Sequence, residues 1–228
     1  MEGVICLSEI KYKRILLKVS GEALAGDAHR GLNFDVIHSV CDVIARCTKL
    51  GVQVGVMIGA GNFWRGVKDG ADKMQRSHAD AMGMLGTVMN SIAVADALGK
   101  HGVDARVLCA VEMNKFAEYF TRDTADRYLN EGKVVLFAAG TGNPYFSTDT
   151  GAVLRGVEIE ADAILMAKNV DGIYSADPKT DPTAVKYDML MPIPKNCSMV
   201  EAAAIPEAFA TAYLNLFIEG KIKEGNTL

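Results

Sequence analysis

The chain is poor in histidine, has an odd number of cysteines and carries no excess of positive charge, and each shortage closes off a class of function. Its four histidines, His29, His38, His78 and His101, are scattered without an HExxH motif or an i, i+4 pair. Metal ligation and histidine-based catalysis are therefore not expected. The five cysteines, Cys6, Cys41, Cys47, Cys109 and Cys197, lack CxxC spacing and read as reduced structural thiols rather than a disulfide or zinc framework. Basic residues are dispersed and the net charge is −4, so no nucleic-acid partner is expected. No stretch reads as a membrane span, and MEGVICLSEIKYKR has neither the h-region nor the cleavage site of a signal peptide; a cytoplasmic protein without a membrane partner is the expectation. Two phosphate-binding devices are missing as well: GxxxxGK[ST] is absent, and GxGxxG does not follow the first strand, which argues against a P-loop enzyme and a dinucleotide-binding Rossmann fold.

What is present is ordinary globular material. The 228 residues are 50% hydrophobic and 23% charged, enough for one large α/β domain with a substantial core. Short apolar runs, RILLKVS (14–20), VQVGVMIG (52–59), DARVLCA (104–110), KVVLFAAG (133–140) and AILMAKN (163–169), read as buried strands of the near-continuously apolar kind found between two helical layers. Helical spacing covers 34–51, 77–102, 121–132 and 147–161, the first three ending in Gly after a basic or polar last turn. This βαβ succession predicts α/β class: a three-layer α/β/α sandwich with a mostly parallel central sheet and right-handed crossovers. No linker, repeat or low-complexity tract interrupts it, so one compact domain with two functional halves is expected.

In such sheets ligands bind outside the carboxyl ends of the strands. Four of the five exits are unusual: Lys18-Val19-Ser20-Gly21-Glu22, Gly59-Ala60-Gly61-Asn62-Phe63-Trp64-Arg65-Gly66, Gly140-Thr141-Gly142-Asn143-Pro144, and Asn169-Val170-Asp171-Gly172-Ile173-Tyr174-Ser175-Ala176-Asp177-Pro178. Glycines let backbone N–H groups approach an anion, and Lys18 and Arg65 add positive charge, so the edge reads as a phosphate or nucleotide site.

Five segments, YKRILLKVSGEAL (12–24), VGVMIGAGNFWRG (54–66), DAMGMLGTVMN (80–90), AAGTGNPYFSTDT (138–150) and VDGIYSADPKTDPTA (170–184), occur in order in a chain that resembles the bacterial UMP kinases (uridylate kinases) of the amino-acid kinase superfamily from about Tyr12 to Tyr187. The resemblance implies transfer of a phosphoryl group from MgATP to UMP, within pyrimidine nucleotide biosynthesis, by a domain whose residues 12–140 mainly bind UMP and oligomerise and whose residues 141–228 mainly bind ATP. It implies that Lys18 stabilises charge on the transferred phosphoryl, that Asp149 orients that lysine, and that Arg65 clamps phosphate. Val19, Ser20 and Gly21 would contact ATP phosphates, Ala60, Gly61 and Arg65 would lie between the two phosphates, and Lys168, Asn169, Tyr174 and Asp177 would hold the adenine and ribose of ATP. For UMP the implied cradle is Thr141, Gly142, Asn143, Pro144, Tyr145, Phe146, Ser147 and Thr148, with Asp80 accepting from the ribose hydroxyls. Mg²⁺ is implied through nucleotide phosphates and water, with no direct protein ligand.

A homohexamer activated by GTP and inhibited by UTP is also implied, with Gly26, Asp27, Ala28, His29, Arg30 and Gly31 matching the segment near the GTP site. Met82, Met84 and Met89 read as core or subunit packing. By the same resemblance Ala60 stands where many relatives carry Gly, and the chain after about residue 190 looks like a compressed version of the family's end, in which Glu201 would stand for an acidic residue of its helix and Pro206 would fall inside that helix. Two alternatives stay open: a superfamily kinase acting on a carboxylate or carbamate, and a nucleotide-binding regulator without turnover.

Overall fold

The computed structural model describes residues 10–64, 73–167, 175 and 181–186. The chain divides into two compact units, Met1–Ala167 and Lys168–Leu228. In the first, six strands form one sheet: β1 Arg14–Val19, β2 Gln53–Ile58, β3 Ala105–Cys109, β4 Glu118–Tyr119, β5 Val134–Ala138 and β6 Ala163–Ala167. Their order is β4-β3-β5-β2-β1-β6, and every neighbouring pair is parallel. The helices are α1 Gly21–Leu24, α2 Phe34–Lys49, α3 Arg76–Lys100, α4 Arg122–Asn130 and α5 Thr148–Glu158.

Each long element agrees with the sequence pattern to within a few residues; the short α1, the 3₁₀ turn Gly26–Ala28 and the two-residue β4 have no periodicity to announce them. Alternation along the strands assigns the two faces of the sheet. Val54, Val56 and Ile58 of β2 and Val134 and Leu136 of β5 join Ile37, Cys41 and Ile44 of α2 and Val94 and Leu98 of α3 in one core cluster. The intervening residues, Leu16, Met57, Val135 and Phe137, pack with Ala125 and Leu129 of α4 and Ala152 of α5 in the other. Period-two side chains facing period-3.6 stripes on both sides make the three layers.

The helix ends follow the sequence signals in detail. Asn33, Thr121 and Ser147 accept the backbone N–H of Val36, Thr124 and Thr150 at 3.2, 3.1 and 3.1 Å, as N-caps do. Gly51, Gly102 and Gly132 adopt φ of 85°, 75° and 77° and close Schellman motifs, in which Val52, Val103 and Lys133 donate back to Cys47, Leu98 and Tyr128. α5 ends the same way at Glu160, φ 54°, without a glycine.

Two expectations are corrected here. The apolar run of β6 is not buried: Leu165 and Met166 are 42% and 36% exposed, because β6 lies at the sheet edge among the described strands. And α3 is, by length and composition alone, long and apolar enough to cross a membrane. Its charges sit at the two ends, Arg76 and Asp80, Asp96 and Lys100, leaving a charge-free middle. One face of the helix packs into the core through Val88, Val94, Ala97 and Leu98, which accounts for the apolarity of that face without a bilayer.

In the second unit the described residues make a small set of local bonds. Ser175 N–H donates to Val185 O at 2.9 Å, Val185 N–H donates to Ser175 Oγ at 3.0 Å, and Asp181 Oδ1 accepts from Thr183 N–H at 2.8 Å.

Candidate functional site

The topology itself makes the crevice. β2 feeds α3 on one face of the sheet and β5, its neighbour, feeds α5 on the other, so the chain reverses direction between them and leaves a gap at their carboxyl ends, where ligands of such sheets bind. A cleft of about 290 Å³ opens there, lined by the exits of β1, β2 and β5 and the first turns of α3 and α5.

Lys18 is delivered by β1. Alternation turns it to the same face as Leu16, toward α5, and it is only 9% exposed. Its Nζ lies 2.8 Å from Asp149 Oδ1 in the first turn of α5, an ion pair by distance although not aligned as a hydrogen bond. Burying an ammonium among backbone glycines is costly unless it is paired. Asp149 provides the counter-charge, with its side chain 39% exposed.

The β2 exit is packed against β1. A Cβ at Gly21 would stand 2.3 Å from Gly59 O, so only glycine lets the two exits meet. The methyl of Ala60 finds room because residue 86 on α3 is glycine: a Cβ there would stand 2.9 Å from that of Ala60.

The β5 exit is bent out of ordinary conformation. Ala139, Gly140, Gly142 and Tyr145 all have positive φ, at 62°, 58°, 80° and 72°. Such strain persists where neighbours hold it. Here Ala139 N–H donates to Thr87 Oγ1 of α3 at 2.7 Å and Tyr145 N–H donates to Asp80 Oδ2 at 2.8 Å. Asp80 also accepts a bifurcated hydrogen bond from Arg76 Nε–H, at 2.9 Å to Oδ1 and 2.8 Å to Oδ2. A Cβ at Gly142 would stand 2.9 Å from Ala110 O, which together with the φ of 80° reserves that position for glycine.

Of the residues expected from the sequence, Lys18, Ser20, Gly21, Ala60, Gly61, Asp80, Thr141, Asn143, Phe146, Ser147 and Thr148 line this one cleft. Asp149 joins it through Lys18. Val19 points into the core, at 4% exposure, and can offer only its backbone. Gly142, Pro144 and Tyr145 shape the loop without lining the cleft, and the Tyr145 ring is 62% exposed beside Arg76. Asp27, Ala28, His29 and Arg30 are exposed and, with Gly26 and Gly31, lie outside the cleft. Arg65, Lys168, Asn169, Tyr174 and Asp177, together with Cys6, Cys197 and the segment after 190, lie outside the described residues.

The sequence marks Glu22, Gly59, Trp64 and Gly140 only as members of the strand exits, and Ala79, Gly83, Met84, Thr87 and Ala139 were missed as lining residues. Thr87 and Met84 sit inside a helical pattern and gave no local signal; only the packing of α3 across the exits brings them in. Met84 therefore lines the cleft, while Met82 and Met89 are 40% and 52% exposed. No cluster of three or more metal-ligating side chains occurs among the described residues.

Comparison with known proteins agrees with this architecture. Residues 13–191 match the model of the amino acid kinase family. Among solved structures, the UMP kinase from Bacillus anthracis is 36% identical, with a TM-score of 0.71 over 77% of this chain and 73% of that one. The UMP kinase from Ureaplasma parvum is 35% identical, with a TM-score of 0.70 over 78% of this chain and 76% of that one.

Proposed function

Because the chain belongs to the amino acid kinase family, we propose that it is a UMP kinase that transfers the γ-phosphoryl group of MgATP to UMP, giving UDP and ADP. The observation that carries this reading is buried Lys18, paired with Asp149 where the glycine-rich exits of β1, β2 and β5 converge on one cleft. A further support is the similarity of the chain to two UMP kinases, at 36% identity over 77% of its length and 35% over 78%.

The reaction brings two phosphates together, so the site must neutralise charge and hold the groups in line. The phosphate monoester of UMP, with a second pKa of about 6, is already mostly a dianion at neutral pH. No general base is needed, and among the described residues that line the cleft there is no histidine or cysteine. Lys18, which lines the cleft, supplies positive charge to the phosphoryl in transit, and Asp149 holds its ammonium in place. The backbone of Ser20, Gly21, Ala60 and Gly61 receives phosphate oxygens. The strained loop 139–148, pinned to α3 by Thr87 and Asp80, receives the nucleoside monophosphate. Arg65 would clamp phosphate, and Lys168, Asn169, Tyr174 and Asp177 would hold the adenosine of ATP. Mg²⁺ would be held by the nucleotide phosphates and water and would supply further neutralisation of phosphate charge.

The reading extends to a cytoplasmic, allosteric homo-oligomer, a hexamer with GTP as activator and UTP as inhibitor. In support of self-association, Met82, Leu85, Met89 and Ile92 form an exposed stripe on α3 at 3-4-3 spacing, each 40% exposed or more.

An assay of ADP release from MgATP, with UMP, CMP, dTMP and small carboxylates offered in parallel, tests the activity. Turnover with UMP that disappears in Lys18→Ala is the expected result. Turnover with a carboxylate alone, or nucleotide binding without turnover, would overturn it.

A further inference from the structure

Two buried amides sit directly behind the cleft. Asn62, at the β2 exit, is 2% exposed and Asn90, on α3, is fully buried. Asn90 Nδ2 donates to Gly59 O at 2.7 Å and to Asn62 Oδ1 at 2.8 Å. Asn62 Nδ2 donates to Asn90 Oδ1 at 2.9 Å and to Gly31 O at 2.7 Å. Gly31 N–H returns the bond to Asn62 O at 3.0 Å. Both amide groups thus use both donors and the carbonyl. A network closed in this way resists small rotations, since any turned peptide would orphan a buried group.

Its position gives it an electrostatic consequence. Gly59 and Ala60 line the cleft, and a carbonyl dipole facing into it would repel phosphate. Asn90 draws the Gly59 carbonyl back into the protein, and in a trans peptide the next N–H, that of Ala60, then points the opposite way. The β1 exit rests on the same atoms: a Cβ at Gly21 would stand 2.3 Å from Gly59 O and 2.6 Å from Asn62 Oδ1. On the far side the network ends at Gly31, next to the exposed residues 27–30.

We infer that Asn62 and Asn90 are positioning residues for phosphoryl transfer, which turn the glycine loop 59–62 so that it can receive phosphate and register that loop to the surface segment 26–31. The inference rests on the kinase reading of the cleft. Neither amide lines the cleft; each acts through the Gly59 peptide. A ligand or contact that displaces segment 26–31 moves Gly31, and Gly31 moves Asn62.

Two variants test it. Asn90→Ala removes the donor to Gly59 O, and Gly31→Val strains the φ of 75° at a position where a Cβ meets no other group within 4 Å, so it disturbs the tie without entering the cleft. Kinetics with MgATP and UMP are measured beside hydrogen exchange of the amides of residues 59–62 in the full chain. In both variants the expected result is faster exchange in that loop and KM values raised several-fold, short of the roughly hundredfold that a 1 Å misplacement can cost, with kcat changed less. A merely structural role would lower the melting temperature and leave KM alone. Unchanged exchange and KM in Gly31→Val would overturn the coupling, and that variant decides alone if Asn90→Ala does not fold. Absence of turnover in the wild-type protein would sink the UMP reading, and the exchange of residues 59–62 would still decide the role of the amides.

Discussion

Replacing Lys18 by Met keeps an unbranched stem beside Leu16 and deletes one charge. The effect on stability should be small. Asp149 is 39% exposed, so water screens the pair, and exposed pairs contribute about 1 kcal/mol or less; the desolvation cost of the lysine disappears along with it. A change of that size moves the melting temperature of a chain this long by roughly 2–4 °C. The effect on the reaction should be large. A unit charge about 4 Å from the phosphoryl in transit is worth roughly 4 kcal/mol at an effective dielectric constant of about 20. At about 1.4 kcal/mol per decade, that is close to a thousandfold in kcat. ADP release and a circular-dichroism melt on the same preparation measure both numbers. A kcat within tenfold of wild type in a protein that melts normally would refute the charge role of Lys18. A melting temperature lowered by far more than the ion pair can account for would make the lysine a structural element instead.

Three further outcomes are expected. Gly142→Ala puts a methyl 2.9 Å from Ala110 O at a φ of 80°, so it should raise the KM for UMP several-fold more than the KM for MgATP, as steady-state kinetics would show; an equal rise in both would detach Gly142 from the acceptor. Asp162 accepts N–H groups of Arg14 and Lys13 at 2.9 and 2.7 Å, which hold its carboxyl below the usual aspartate value. With the folded-state pKa depressed, its contribution to stability is complete above the unfolded value near 3.8 and is lost as pH falls through the folded one. Asp162→Asn should therefore flatten the fall of melting temperature on acidification to about pH 3, and an unaltered slope would count against the bond pair. Burial pushes the Cys41 thiol up to about 11 and raises that of Cys109 as well, so among the described cysteines the half-buried Cys47 should be alkylated first at pH 8; rapid labelling of Cys41 in the native protein would contradict its packing.

The local code of this chain was readable in advance wherever a signal repeats. Strands β1, β2, β3 and β5 are β-rich apolar runs, α2, α3, α4 and α5 are periodic, and Asn33, Thr121, Ser147, Gly51, Gly102 and Gly132 mark helix ends by chemistry that depends only on neighbouring backbone. Glu160 shows the limit of that code, ending α5 in a left-handed conformation with no glycine to announce it.

The cleft was legible in part for the same reason. Gly21, Gly142 and the hydroxyl cluster at 147–148 stand at strand exits, and exits are where parallel sheets bind ligands. What a linear reading could not supply is the strand order. Inserting β5 between β2 and β3 is a choice among packings of equivalent apolar faces, and it alone brings the 139–148 loop beside the 59–62 loop. The crossing of α3 over both exits then recruits Thr87, Met84 and Asn90, which sit in the helix as unremarkable polar and apolar positions. Composition, secondary structure and the family resemblance follow from local sequence. The partners of Ala139, Gly59 and Gly31 were decided by tertiary structure, because a hydrogen bond between residues 28 to 52 positions apart depends on how the layers stack and leaves no periodic trace in the chain.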